Sequence, residues 1–375
     1  MSTPDTRGPL AVTRRGQLLE ALHRRGTVRV SELTDLLGVT AVTIRRDIAQ
    51  LADEGLIRRV HGGATLIDAD RLALDDEPSI TEVSSVVENH EVAVGMLVPS
   101  LDYYWPGVIR GAEESASQHG LRVVLRGSSY EADDTRAQLG RMLDQAGLSG
   151  LVLAPNMAAA HTDEALEWLV STGMPVVLVE RQATIGAHHE VVESVVSDHA
   201  LGAAMAVRHL ASLGHRKIGL VLSRQSPTGP HIRRGWLEAA AEVRFSPDST
   251  VDATVASPRT VEAVVELDAV IERALETGTT ALLVHADAEA IALVQRLETH
   301  GLSVPSDVSV VAYDDEVAGL FSPRLTAVRP PRRSLGRTAV DLVAARIADP
   351  GRPTHRIIIS PSLRLRESSA PPRRA

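Results

Sequence analysis

The chain has 375 residues, enough for two or three domains, with 44% hydrophobic and 23% charged residues and a formal net charge of −9. It contains no cysteine, which excludes disulfides, thiolate metal sites and a cysteine nucleophile. No apolar run approaches the ~20 residues that span a bilayer, and the N-terminal MSTPDTRGPLAVTRRG has no signal-peptide core, so a cytoplasmic protein without a membrane partner is expected.

Charge is uneven along the chain. Residues 1–67 carry ten Arg against seven Asp and Glu, a net +3, which leaves −12 for the remainder. A basic module joined to an acidic body fits nucleic-acid binding at one end only. Lys217 is the one lysine among 39 basic residues, so the placement of the arginines says more than their number.

In chain order, residues 1–12 contain Pro4, Gly8 and Pro9 without periodicity and are expected to be a disordered tail. Leu18, Leu19 and Leu22 mark the core face of a first helix that Gly26 ends. The stretch 30–66, VSELTDLLGVTAVTIRRDIAQLADEGLIRRVHGGATL, then reads as helix, tight turn, helix and hairpin. Ser31 is a natural N-cap, and Leu33, Leu36 and Leu37 form one apolar stripe. Gly38 stops that helix at low conformational cost. Thr40 caps a second helix whose Ile44, Ile48 and Leu51 recur at i, i+4 and i+7 and face inward. Its opposite face presents Thr40, Ala41, Thr43, Arg45 and Arg46: short polar groups for close approach to base edges, then two guanidinium forks. Strands over 56–61 and 64–67 flank the Gly62-Gly63 turn and carry Arg58, Arg59 and His61, the wing of a winged helix-turn-helix. Ser31, Thr40, Ala41, Thr43, Arg45, Arg46, Arg58, Arg59 and His61 are therefore the candidate DNA contacts. From about Thr13 to Leu66 this segment resembles the N-terminal domain of the DeoR family, on the strength of GVTAVTIRRDIAQL and EGLIRRVHGGA at this spacing. The expected domain is 13–67.

Residues 68–91 are acidic, hold Pro78 and lack a clean period, as a linker would. From there the rhythm changes to short apolar strands alternating with amphipathic helices, which signifies parallel sheets covered on both faces. The pattern breaks at VVESVVSDHA and restarts, so two doubly wound halves are expected, with a cleft where their strands' carboxyl ends meet. This region, roughly Val92 to Leu365, resembles the effector-binding part of the LacI family, built like a type I periplasmic sugar-binding protein. The segments that carry the resemblance are SDHALGAAMAVRHLASLGHRKIGLV, GLSVPSDVSVVAYDD and SPRLTAVRPPRRSLGRTAVDLVAARI. It implies chain crossings near 191–196, 314–317 and 328–331. Subdomain 1 would then comprise about 92–190 and 316–328, and subdomain 2 about 192–314 and 331–367, with 368–375 a disordered tail.

A sugar site needs paired donors and acceptors for hydroxyls and an aromatic face for the ring. Tyr103, Tyr104 and Trp105 follow the first strand, three consecutive aromatics in a chain with 2%; the family's aromatic pair matches Tyr104 and Trp105. Asp314 ends the strand VSVVAYDD and matches the family's hydroxyl-binding aspartate. Glu180 ends PVVLVER where the family commonly has Asp. Asp198 and Asp287 read as helix caps, with Asp198 also at a hinge, while His285 and Ala286 lie at the mouth of the cleft. The family places an arginine three residues before Gly235, where this chain has Ile232, so Arg233 or Arg234 would have to substitute. Ser226, Pro227, Thr228 and His231 form an unusual lip nearby. The candidate ligand residues are thus Tyr103, Tyr104, Trp105, Glu180, Arg233, His285 and Asp314.

The chain has no GxSxG, Walker A, GxGxxG or HExxH motif, and its fourteen histidines lack partners at metal-ligand spacing. No catalytic residue, metal or cofactor is expected. The LacI-type headpiece is replaced by a DeoR-like one, so the sequence reads as a chimera: a homodimeric transcription regulator, probing operator DNA and answering a sugar-like effector. A sugar-binding protein or sugar-converting enzyme without an operator is the alternative.

Overall fold

The computed structural model describes residues 18, 27–29, 33–34, 44, 48, 57–60, 63–66, 92–128, 135–144, 147–224 and 226–373. They fall in two compact units, Met1–Val86 and Val87–Ala375. In the first, Leu18, Leu33, Ile44 and Ile48 are helical and at most 4% exposed, the inward positions that the apolar periodicity requires. Strands β2 (Ile57–Val60) and β3 (Gly63–Leu66) form the antiparallel hairpin of the wing, with Val60 opposite Gly63. A third strand, β1 (Thr27–Arg29), pairs with β3; the sequence pattern does not announce it. Ser31, Thr40, Ala41, Thr43, Arg45, Arg46 and His61, the side chains of Arg58 and Arg59, the tail 1–12 and the linker 68–91 lie outside the described residues.

The second unit has two lobes. In lobe 1, strands β4 (Ala93–Val98), β5 (Arg122–Gly127), β6 (Leu148–Leu153), β7 (Val176–Val179), β10 (Ser194–Ser197) and β16 (Arg356–Ile359) make one parallel sheet in the order β16-β10-β7-β6-β4-β5. A small hairpin, β8 (Thr184–Ile185) and β9 (Glu190–Val191), lies outside it. Alternate residues of β4 face opposite layers. Val94, Met96 and Val98 pack with helices α1 (Trp105–Gln118) and α8 (Arg332–Ala348), and Leu97 packs with α2 (Thr135–Leu143) and α3 (Thr162–Ser171). Burial on both faces explains why the strand is continuously apolar.

Lobe 2 holds the sheet β12-β11-β13-β14-β15-β17, formed by β11 (Ile218–Ser223), β12 (Asp252–Val255), β13 (Ala281–His285), β14 (Ser309–Tyr313), β15 (Thr326–Arg329) and β17 (Ser362–Arg364), parallel except for β17. Helices α4 (His199–Ser212) and α5 (Gly229–Val243) cover one face. Helices α6 (Val261–Thr277) and α7 (Asp287–Thr299) cover the other.

The chain passes between lobes at Asp198, at Pro330–Pro331 and at Ser360–Pro361. Only the expected crossing at 328–331 falls where the resemblance put it. The first lies beyond 191–196, because β10 pairs with β7 and β16 in lobe 1. There is none at 314–317. Residues 316–328 stay in lobe 2: the Asp287 carboxylate accepts backbone N–H groups from Asp315, Glu316, Val317 and Ala318 at 2.7–3.1 Å, and Leu325 and Ala327 are fully buried in that core. Conversely, α8 and β16 belong to lobe 1. The segment after 367 is no loose tail either. Ser368 is fully buried, accepting from Thr326 N at 2.8 Å and donating to the Val310 carbonyl at 2.5 Å, while Arg373 pairs with Asp307. The polar backbone at the sheet's margin finds its partners there.

Candidate effector-binding site

The carboxyl ends of β4 and β7 face those of β11 to β14 across a cavity of about 350 Å³. This is where parallel sheets place ligands, since the loops there converge from several strands. Four residues around it hold left-handed backbone conformations: Tyr103 (φ 58°), Glu180 (φ 55°), Asp314 (φ 95°) and Asp315 (φ 54°). Each such non-glycine residue costs of order ~1–3 kcal/mol, and such strain collects where side chains must be aimed.

Asp314 is 5% exposed, and no side chain or amide among the described residues donates to its carboxyl group, which lines the cavity. Burial, reinforced by the nearby Asp287 charge, pushes this carboxyl up to about 7. His285 stands beside it, Nε2 3.8 Å from Oδ2 and 3.5 Å from Ser226 Oγ. Burial, helped by the charge of His199, holds the His285 imidazole down at about 3. Its Nδ1 has no partner among the described residues. A buried polar atom left without a partner is costly, so both groups are set to be satisfied by something polar in the cavity.

Tyr103 is 39% exposed and reaches across from lobe 1, its hydroxyl accepting the Asp287 N–H at 3.2 Å. Tyr104 donates to Glu180. Trp105 is 2% exposed, packed in the lobe 1 core as the first residue of α1, and it meets Tyr104 edge to face at 5.7 Å. It contributes to the wall as a core residue rather than as an open platform.

Glu180 is a hinge post. Its Oε1 takes Tyr104 and Ser197 Oγ (2.7 Å); its Oε2 takes Ser197 N (3.0 Å) and His199 Nε2 (3.3 Å). A carboxylate has about four acceptor positions, and all are used. Burial opposes ionisation, but His199, Tyr104 and the Ser197 amide outweigh it and hold the carboxyl at about 2. His199 opens α4 in lobe 2, and its Nδ1 meets Tyr313 Oη at 3.2 Å, so the cluster ties the lobes together.

Arg233 is not brought to the cavity. It turns to β12 and pairs with Asp252 at 2.6 Å, because its place on α5 points along the outer surface. Ile232 is fully buried in the lobe 2 core. Arg234 faces a second cavity described below. Asp198 caps α4 through the Leu201 N–H at 2.9 Å, at a crossing as expected. Asp287 ties down 315–318 instead of capping its own helix, a task Glu289 performs by accepting from Ala286 N at 3.0 Å.

Three residues are not identified by the sequence reading as parts of the site. His199 hides behind the capping signal of Asp198. Arg259 lines the mouth from the loop before α6. Arg332 sits in an arginine-rich run yet joins both lobes: from the start of α8 it donates to the carbonyls of Asp314 and Asp315, pairs with Glu316 at 3.1 Å, and lies 5.6 Å over the Tyr104 ring.

Two doubly wound lobes, three crossings and a cleft at the strand ends define a periplasmic-binding-protein-like domain, and residues 207–369 match the model of that domain. Residues 14–70 match the DeoR-like helix-turn-helix domain. The chain is 30% identical over 284 residues to an HTH-type transcriptional regulator in the aml 5′ region of Streptomyces limosus, covering 74% of this chain and 78% of the relative. It is 25% identical over 317 residues to the arabinose metabolism transcriptional repressor of Geobacillus stearothermophilus, covering 83% and 82%. The fold superposes on the transcriptional regulator CelR in its cellobiose complex with a TM-score of 0.64, at 21% identity, over 96% of this chain and 100% of that one. The chain belongs to the LacI family of HTH-type transcriptional regulators and carries a DeoR-like DNA-binding domain. Both relatives carry the names of transcriptional regulators. No helix among the described residues is long and apolar enough to cross a membrane.

Proposed function

We propose that the protein is a cytoplasmic repressor whose hold on operator DNA is set by a small sugar-like effector in the cleft between its lobes. The observation that carries this reading is the buried Asp314–His285 pair opposite Tyr103 at the strand ends: among the described residues no hydrogen-bond donor reaches the Asp314 carboxyl, and His285 Nδ1 has no partner. A carboxylate with free acceptor positions and an aromatic hydroxyl suit vicinal hydroxyls and a ring face. The relatives' names support it: one is a repressor of arabinose metabolism, and CelR was captured with cellobiose.

Two chains pair and present two winged heads to paired half-sites. Thr40, Thr43, Arg45 and Arg46 dock in the major groove, and Arg58, Arg59 and His61 hold phosphate or minor groove. Closure of the lobes on the effector changes the spacing of the heads and releases DNA.

Gel-shift titration of the full chain against its own upstream DNA, with and without a panel of sugars, tests the reading. Specific binding released by one sugar is the expected outcome, and Arg46→Ala is expected to weaken operator binding by ~1–3 kcal/mol. Failure to select any specific site from genomic DNA would overturn the operator assignment.

A further inference from the structure

The Glu180 cluster divides the cleft. On one side lies the 350 Å³ cavity of Tyr103, His285 and Asp314; on the other lies a second, of about 470 Å³, bounded by Met157, Gln182, Asp198, His231 and Arg234. Each volume is within the ~300–1,000 Å³ of ordinary ligand sites. The two are back to back, because Glu180, Arg181, His199, Pro227 and Thr228 line both.

Thr228 is the informative member of that shared wall. It stands at the N-cap of α5, where a threonine hydroxyl ordinarily accepts a backbone N–H, yet its side chain makes no capping bond. Among the described residues nothing bonds its hydroxyl, and Thr228 lines both cavities. The charged side chains of the divide are already engaged. Glu180 has its four donors, and Arg181 donates to the carbonyls of Pro155 (2.9 Å) and Glu180 (2.7 Å). Asp198 is spent on its cap. What remains open is hydroxyls, an amide, the Asp314 carboxyl, His285 Nδ1 and two guanidiniums, Arg259 at the mouth and Arg234, whose nearest carboxylate is Glu238 at 3.8 Å; the buried Asp314 carboxyl repels an anion at the deep end of the first cavity. Such a set favours an uncharged polyhydroxylated ligand over an anion.

We propose that the effector is an uncharged glycoside of at least two rings that straddles the divide. One ring lies against Tyr103, His285 and Asp314. The next occupies the compartment of Met157, Gln182, His231 and Arg234, with the linkage passing the Thr228 hydroxyl. This deepens the effector reading above and rests on it.

Calorimetric titration of the full chain with uncharged mono-, di- and trisaccharides of glucose, galactose, mannose, xylose and arabinose tests it. A disaccharide is expected to bind at least tenfold tighter than either of its component sugars. In the double variant Gln182→Ala, Arg234→Ala, both positions being exposed, the ratio of disaccharide to monosaccharide affinity falls at least tenfold; Thr228→Val lowers it in the same direction. A monosaccharide that binds as tightly as any longer sugar, or a ratio unchanged in the variants, overturns the two-ring effector and leaves the sugar-responsive repressor standing. Binding by none of these sugars overturns both.

Discussion

Asp314 directly follows β14 in a left-handed conformation, with its carboxyl turned into the cleft and burial raising it from 3.8 to about 7. Sugar hydroxyls donate more strongly to the ionised form. Effector binding therefore releases a proton and tightens as pH rises through 7. Stability has the opposite sign. Between pH 3.8 and about 7 the folded chain keeps a proton that the unfolded chain has lost, so stability falls with rising pH across that window and levels off above it. His285, lowered from 6.5 to about 3, opposes this: the folded chain resists protonation there, so stability falls as pH drops below 6.5. The two slopes offset each other in mildly acid solution and leave Asp314 uncompensated near neutrality. Asp314→Asn is expected to bind the effector more weakly with no pH dependence between 6 and 8, and to gain roughly 1–3 kcal/mol of stability at pH 8 by removing a buried charge. Affinity and melting temperature measured from pH 5.5 to 8.5 check both; wild-type binding that tightened on acidification would contradict the account. Asp314 is legible in the sequence because it directly follows an apolar strand, and Tyr103 and Tyr104 because they stand as consecutive aromatics in the loop after β4. The duty of Glu180 is not, because it depends on Ser197 and His199, brought beside it only when β10 joins β7.

Helices α1 and α8 approach so closely that their backbones touch through glycines. A Cβ added at Gly336 would overlap the Val108 carbonyl oxygen, and one at Gly111 the Arg333 carbonyl oxygen. The same device joins α4 and α5, where Gly235 meets the Ala200 carbonyl. Backbone cannot step aside as a flexible side chain does, so Gly336→Ala is expected to cost ~1–3 kcal/mol as an overpacked contact, read as a lower urea midpoint with an unchanged slope. An unshifted midpoint would mean the helices can slide apart freely. The apolar strands and amphipathic helices of both lobes are readable from period and burial alone. Their assignment to lobes is not. A strand such as β15 reads the same whichever sheet it completes, and its place is fixed by pairing with β14 and by the Asp287 carboxylate holding the preceding loop. Helix α8 follows β15 directly yet crosses to lobe 1, where Leu335, Ala339, Val340 and Val343 find α1.

Three short crossings join the lobes, and two of them contain proline, which limits how far each can rotate. Across the cleft the ties between described residues include Tyr103 to the Asp287 N–H, His199 to Glu180, and Arg332 to the carbonyls of Asp314 and Asp315 and to Glu316. Neutral hydrogen bonds contribute ~0.5–1.5 kcal/mol each and charged ones ~1.5–3. Their sum is comparable with the ~5.5 kcal/mol that converts a population from 1:99 to 99:1, so a ligand can move this equilibrium without unmaking the fold. Arg332 is the tie that touches both a ligand candidate's backbone, at Asp314, and a ligand candidate's ring, at Tyr104. Whatever occupies the cavity and shifts either residue is felt at the start of α8, and through α8 along the face of lobe 1. Coupling between effector and operator is a single free energy, reached equally from either side of the cycle. In Arg332→Ala the factor by which effector changes operator affinity is expected to fall at least tenfold, with the factor by which operator changes effector affinity falling by the same amount. Four dissociation constants, operator with and without saturating sugar and sugar with and without operator, measure it. A variant whose four constants still close on the wild-type factor would make Arg332 a structural brace and return the signal to the Glu180–His199 tie.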